Sequence, residues 1–269
     1  MKSLKNASVK MIFADPPYGI SIQSKKQNTE WDDLSDKDLS NLLNNLLSEA
    51  ERLLTEDGVL WMCYGPTKQA IVDSVIENSN LLEIKELHSY YTRQKGRGAK
   101  TKLKSLREDI VCLAKKNFRP NFSRIKELAK SRKENDLPVG HALDIFTSKR
   151  VPVYSSIGNC FFYTTPSYVN VSERQIHTCQ KPVMLIHDLI ELSTEDKDLI
   201  LDPFAGSCAS AIAASLSGRD YIGCEMDSDM FAKSKEWVEE FTDMSSRVYA
   251  GLSKFSDCPF ADPDVKCFL

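Results

Sequence analysis

No C-x-x-C pair occurs in this sequence, and its eight cysteines and four histidines form no cluster at zinc-site spacing. A metal site is therefore not expected. Most of the cysteines sit in apolar runs, where a reduced, buried thiol is the usual state, so a reducing compartment is expected. No apolar run approaches the ~18 residues of a membrane span, and no basic-then-apolar leader opens the chain, so the expectation is a cytoplasmic protein without a membrane partner. Internal repeats and low-complexity tracts are missing, which excludes solenoids and arrays. The G-x-G-x-x-G fingerprint of dinucleotide binding is missing too. Nor is there a strong overall charge: the formal net charge of −3 points to no partner class.

The chain does have enough length and apolar content for a sizeable core, with 269 residues of which 42% are hydrophobic. That suits one α/β domain with an inserted or appended lobe. Its charge is also unevenly placed. Residues 93–133 hold fifteen Lys/Arg against three acids, a local net of +12, so the remainder carries −15. A basic segment in an otherwise acidic chain reads as a polyanion site, with Lys95, Arg97, Lys100, Lys102, Lys104 and Arg107 as candidate phosphate contacts. A solvated basic face is the plainer alternative. Two glycines in "KGRGAK" free the backbone while the cations face out. The apolar run "DIVCLAK" predicts a strand, so the basic segment belongs to a fold.

Residues 9–14 ("VKMIFA") predict a short strand. Ser35 predicts an N-cap with Asp38 three residues on, and Leu39, Leu42, Leu43, Leu46, Leu47, Ala50, Leu53 and Leu54 follow at helical spacing. Strands are expected over 59–64 and 82–88, with a helix over 68–77 between them. From 116 to 175 the pattern gives way to basic, Pro and Ser/Thr/Asn-containing sequence with scattered aromatics. There "SRIKELAKSRKEN" predicts a polar helix and "GNCFFYTTPSYVNV" an edge strand or loop. Order returns with a helix opening at Pro182. A strand follows at 199–201, a loop over 202–206, and a helix of small residues over 207–217 that ends before Gly218. A strand over 221–225 and a helix over 229–241 complete the pattern. Alternation of this kind predicts an α/β fold, a doubly wound, mostly parallel sheet with a small irregular lobe.

Two stretches carry chemistry. In "DPFAGS" a loop leaves the carboxyl end of a strand and enters a helix, the place where such sheets bind ligands. Gly206 permits close approach, and Glu225, at the end of the next strand, suits the two hydroxyls of a ribose. The unit points to an adenosine-containing ligand, with ordinary α/β packing as the alternative. In "DPPY", Asp15 is an acceptor at a strand end, Pro16 and Pro17 restrict the backbone so that the Pro16 carbonyl is a second acceptor, and Tyr18 offers a flat face. These form a clamp for an exocyclic amine on an aromatic base. The alternative is a proline-stiffened turn with a capping Asp and a packed Tyr.

Taken in order, these elements resemble the amino-directed DNA methyltransferases that use S-adenosylmethionine, in their β-class arrangement. That arrangement puts a (D/N/S)PP(Y/F/W) tetrad first, a target-recognition region next and the cofactor loop last. Asp15-Pro16-Pro17-Tyr18 matches the tetrad, and "HTCQKP" (177–182) is similar to the H-P-T-Q-K-P element. "DPFAGS" (202–207) resembles the D-P-F-x-G-S-G loop, and "GCEMD" (223–227) the G-x-E-x-x strand end. Two positions depart: Cys208 stands where Gly is usual, tolerable at a helix start if its φ is negative, and Thr178 replaces a proline. The strand that usually lies upstream of the tetrad has no counterpart, and residues 246–252 are the candidate for its edge position.

The resemblance implies a Rossmann-like methyltransferase fold. Residues 1–115 would form its catalytic half, 116–175 the target-recognition region, 176–245 the cofactor-binding half and 246–269 a tail or edge strand. It implies catalytic roles for Asp15, Pro16, Pro17 and Tyr18. It implies contacts to S-adenosylmethionine from Gln180, Lys181, Pro182, Asp202, Pro203, Phe204, Gly206, Ser207, Glu225 and Met226. The implied partner is double-stranded DNA, cellular or phage, with a flipped-out base, and the enzyme would form a homodimer. Asp at the first tetrad position leans toward adenine N6. Cytosine N4 is the nearest alternative, and a catalytically weak nucleic-acid-binding relative the third. No nuclease or helicase motif is visible, which favours a stand-alone modification enzyme. His177 reads as a structural hydrogen-bonder, and Trp31 as either a cover for the flipped base or ordinary core.

Overall fold

The computed structural model describes residues 1–19, 32–92, 107–134, 160–161, 176–177, 179–241 and 266–268. Its centre is strand β1 (Val9–Ala14), whose side chains are buried on both faces, as a central parallel strand requires. Met11 and Phe13 enter one layer of core, while Val9, Ile12 and Ala14 enter the other. Beside it lies β2 (Leu54–Tyr64), parallel to β1 and reached through helix α1 (Asp36–Leu53). Ser35 caps α1 as expected: its Oγ accepts the Asp38 amide at 3.1 Å. Leu39, Leu43, Leu46, Leu47, Ala50 and Leu53 are the buried stripe of α1. Leu42 is half-buried and faces the cavity described below, and Leu54 already belongs to β2.

Helix α2 (Gln69–Glu77) follows a 3-10 turn at Pro66–Lys68. The single strand expected over 82–88 is two short pieces, β3 (Leu82–Glu83) and β4 (Ser89–Thr92), separated by a 3-10 turn at Lys85–Leu87. Both pieces pair antiparallel with β5 (Arg107–Ala114), and the turn between them buries Leu87 in the core. β5 is antiparallel to β2 as well, in the register Tyr64↔Asp109. The polar helix of the irregular region is α3 (Phe122–Glu134), and β6 (Cys160–Phe161) pairs parallel with β4 at the sheet edge.

The rest of the described chain builds the second half. It contains α4 (Val183–Ser193), β7 (Leu199–Asp202), α5 (Ala209–Leu216), β8 (Asp220–Glu225) and α6 (Ser228–Phe241). With the last strand, β9 (Lys266–Phe268), included, the sheet order is β6-β4-β5-β2-β1-β7-β8-β9, with β3 also on β5. Helices α1 and α2 cover one face, and α3, α4, α5 and α6 pack on the other. The edge beyond β8 is taken by β9 (Lys266–Phe268), antiparallel, from a later part of the tail than residues 246–252, which lie outside the described residues.

One buried ionic group ties the second face together. Arg219 donates to the Thr194 carbonyl at 2.7 Å, to Thr194 Oγ1 at 3.0 Å, and to both carboxylate oxygens of Glu191 at 3.3 Å. Arg124 of α3 reaches the same carboxylate at 2.9 Å from a half-exposed position. The Glu191 side chain is 3% exposed, so removing its buried partner strands a charge. Arg219→Ala is expected to cost about 3–5 kcal/mol of folding stability, read from the urea midpoint. A loss below about 1 kcal/mol would show that Arg124 alone satisfies Glu191.

Candidate active site

Strand order reverses between β1 and β7. These strands are parallel neighbours (Met11↔Ile200, Ile12↔Leu201), yet β2 lies on the far side of β1 and β8 on the far side of β7. Open α/β sheets leave a crevice at the carboxyl ends of such strands. Here a cavity of about 650 Å³ occupies it.

β1 runs into the cavity wall as Asp15-Pro16-Pro17-Tyr18. Asp15 Oδ1 accepts the Tyr18 hydroxyl at 2.8 Å, and Oδ2 accepts Lys181 Nζ at 2.5 Å. Lys181 Nζ is also 3.1 Å from Glu108 Oε2, and the Lys181 and Glu108 side chains are only 5% and 7% exposed. Burial alone would push this ammonium down. The carboxylates of Asp15 and Glu108 overcome that and hold it well above the usual lysine range. Burial, with Asp15 next, pushes the Tyr18 phenol up, so it stays a donor.

The backbone of the turn is held by Asp32, 1% exposed, whose Oδ1 accepts the amides of Tyr18 at 2.7 Å and Gly19 at 3.0 Å. Gly19 adopts φ +62°, a left-handed conformation that glycine takes without strain. At Gly65, which follows β2, a Cβ would meet the Tyr18 ring at 3.3 Å, so the glycine leaves space for that ring.

The opposite wall comes from the second half. Asp202 ends β7 and accepts the Phe204 amide at 2.9 Å and Ser210 Oγ at 2.5 Å, and Ser210 Oγ is 2.9 Å from Tyr221 Oη. Burial pushes Asp202 up to about 7 despite these bonds. Glu225 ends β8, and its two oxygens accept the amides of Gly206 and Asp227, each at 2.8 Å. Gly206 has φ +50°, and among the described residues a Cβ there would meet only Phe204 O at 3.9 Å, so the glycine leaves this side of the cavity open.

Cys208 does not meet the condition placed on it. Its φ is +60°, left-handed, not negative. The side chain is fully buried in the core beneath α5 and does not line the cavity, so the substitution for glycine strains the backbone without narrowing the site.

Every tetrad residue lines this one cavity, together with Gln180, Lys181, Asp202, Pro203, Phe204, Gly206, Ser207, Glu225 and Met226. Pro182 is not in the wall but caps α4. His177 is in the wall, where its Nδ1 accepts the Cys179 amide at 3.2 Å and burial pushes its imidazole down. Trp31, Lys95, Arg97, Lys100, Lys102 and Lys104 lie outside the described residues, and Arg107 opens β5. Asp32, Glu108 and Asp227 were not singled out from the sequence. Only an acid at the head of a buried strand ("REDIV") marks one of them.

Among the described residues acids dominate the wall: Asp15, Asp32, Glu108, Asp202, Glu225, Asp227 and Asp229 stand there with Lys181 and Lys233. Such a wall suits a cationic ligand and disfavours one rich in phosphate. Met226 is 73% exposed beside Glu225 and offers the cavity an apolar face. With the open cradle at Gly206, these residues fit S-adenosylmethionine, whose sulfonium and amino groups are positive.

An acid-lined cavity thus sits at the switch point, beside the strand end that carries Asp15. The family model described as "DNA methylase" matches residues 9–236, and the chain belongs to this N6/N4 DNA methylase family. Enzymes of the family take their methyl group from S-adenosylmethionine. DNA adenine methyltransferase YhdJ of Escherichia coli is 28% identical over 98% of this chain and 90% of its own length. Type II methyltransferase M2.MboI of Moraxella bovis is 26% identical over 90% and 85%. Solved structures share the fold. PvuII DNA methyltransferase, cytosine-N4-specific, superposes with a TM-score of 0.61 at 14% identity over 89% of this chain and 86% of that one. The M1.HpyAVI–SAM complex gives 0.55 at 16% over 88% and 90%.

The raised pKa of Asp202 has a stability consequence. Between the ordinary carboxyl value of 3.8 and about 7, the folded protein keeps a proton that the unfolded chain has lost. Stability therefore falls as pH rises through that window. Asp202→Asn removes this slope. The stability of wild type minus that of the variant is expected to drop by up to about 4 kcal/mol between pH 4 and 8. Parallel profiles from urea titrations would show that Asp202 titrates as an ordinary acid.

Proposed function

We propose that this chain methylates the N6 amino group of adenine in double-stranded DNA, acting on a base flipped out of the duplex. The observation that carries the reading is the ionic and hydrogen-bonded fixation of Asp15 at the switch point, in the same cavity as Glu225 and the Gly206 loop. S-adenosylmethionine supplies an electrophilic methyl group carried on a cationic sulfur. Glu225, Gly206, Phe204 and Met226 hold its adenosyl part.

An exocyclic amine on adenine is a poor nucleophile because its lone pair is delocalised into the ring. Asp15 and the Pro16 carbonyl accept its two N–H bonds and turn the lone pair out of the ring plane, toward the methyl group. The carboxylate then stabilises the positive charge that develops on nitrogen. Tyr18 gives up its bond to Asp15 Oδ1 as the amine arrives, and its ring packs on the base.

The basic segment supplies phosphate contacts that offset the few kcal/mol of base flipping. Thr92 and Arg107, which flank its first part at 93–106, pair across β4 and β5. They lie at the sheet end that carries Asp15, because Tyr64, at the end of β2, pairs with Asp109. The adenine assignment is supported by Asp at the first tetrad position and by the printed name of the relative from Escherichia coli.

Incubation with duplex DNA and methyl-labelled cofactor, followed by nucleoside analysis, tests the proposal. Label in N6-methyladenine is the expected result. Label in N4-methylcytosine, or DNA binding without label, overturns it. Asp15→Ala is expected to lower the single-turnover rate at least about a hundredfold.

A further inference from the structure

Strand β8 carries a tyrosine whose place depends on a missing side chain two residues on. Tyr221 and Gly223 share one face of the strand, because side chains alternate. A Cβ on Gly223 would overlap the Tyr221 hydroxyl and come within 2.8 Å of two ring carbons. The glycine therefore lets the ring lie along the strand over position 223. Across the sheet, Gly223 is the register partner of Asp202 at the end of β7. The phenol thus comes level with that carboxylate, and Ser210, in the first turn of α5, bridges the two.

Ser210 Oγ lies 2.5 Å from Asp202 Oδ2 and 2.9 Å from Tyr221 Oη. A serine hydroxyl has one proton to give. It goes to the carboxylate, so Tyr221 is the donor to Ser210. Burial supports that direction, since it pushes the Tyr221 phenol up and keeps it protonated. On the other side, Asp202 Oδ1 accepts the Phe204 amide at 2.9 Å. Both oxygens of a carboxylate in the cavity wall are thereby held.

Resting on the reading that the acid wall takes the positive end of S-adenosylmethionine at Asp202, we propose that Tyr221 is a positioning residue for the cofactor. It stands behind the wall and acts through Ser210, whose hydroxyl fixes the orientation of the Asp202 carboxylate. Hydrogen bonds in such a chain strengthen one another, and a charged acceptor at its end strengthens them further. Gly223 is the condition that admits the tyrosine to this position.

Equilibrium binding of S-adenosylmethionine to the full chain, without DNA, tests this in a double-variant cycle. Tyr221→Phe removes one hydroxyl and keeps the ring. It is expected to raise the cofactor Kd about threefold to tenfold, the worth of one buried hydrogen bond. Asp202→Asn removes the charge and is expected to raise Kd about tenfold or more. In the Asp202→Asn background the further change of Tyr221 to Phe is expected to cost less than about twofold, because the group it acts on is gone. A tyrosine that only filled the core would weaken binding by the same factor in both backgrounds.

A loss in Y221F below about threefold, or a loss of about twofold or more that persists in the D202N background, overturns the proposal. Urea midpoints on the same preparations show which variants fold. If Y221F does not, Ser210→Ala takes its place in the cycle with the same two thresholds. Failure of the underlying reading looks different. If D202N binds the cofactor as tightly as wild type, Asp202 does not meet it, and the role of Tyr221 falls with that reading. If D202N weakens binding and Y221F does not, only the role of Tyr221 falls.

Discussion

The parallel pairing of β1 with β7 is the contact on which the rest of the molecule depends. Met11, Ile12, Ile200 and Leu201 are each fully buried, so the pair is held by core on both faces as well as by its ladder of hydrogen bonds. Each strand anchors one half of the sheet. Each also ends in an acid that lines the cavity between them. Asp15 is held by Lys181 from the turn before α4, and the Gly206 loop that begins after Asp202 shares a cavity with the tetrad. The site exists because two distant stretches of sequence are adjacent strands, which is why neither motif alone specifies a function.

Electrostatics divides the molecule in a corresponding way. Seven of the acids line the cavity, and the basic stretch 93–106 joins the same end of the sheet through Thr92 and Arg107. A cationic small molecule is thus drawn to the cavity. Within the cavity, burial decides which groups are charged. It favours the neutral forms of Asp202, Tyr18 and Cys63, whereas Lys181 stays protonated because two carboxylates oppose the cost of burial.

Much of this was legible in the amino-acid order. Period-3.6 leucines marked α1, the small residues after Gly206 marked α5, and the apolar runs marked β1, β5, β7 and β8 at close to their observed limits. What stayed hidden depends on partners far away in sequence. The break between β3 and β4 follows from Leu87 turning into a core whose walls come from other elements. Asp32 and Glu108 look like ordinary surface acids until the fold brings the amides of Tyr18 and Gly19 to one and Lys181 to the other. The left-handed backbone at Cys208 is hidden for a different reason. The conformation belongs to the loop, and the glycine that would have announced it is not there.

The carboxylate of Asp32 also bears on how far the chain can vary without disturbing the tetrad. It bonds the amide of Gly19, so the stretch from 20 to 31 leaves and rejoins the frame at one point. Thr92 and Arg107 close the basic stretch from 93 to 106 in the same manner. Closing a loop twice as long costs only about 0.6 kcal/mol more. With both ends fastened, lengthening or exchanging either stretch leaves the tetrad where it is. Either stretch is thus free to diverge in length and composition without moving the residues that surround the cavity.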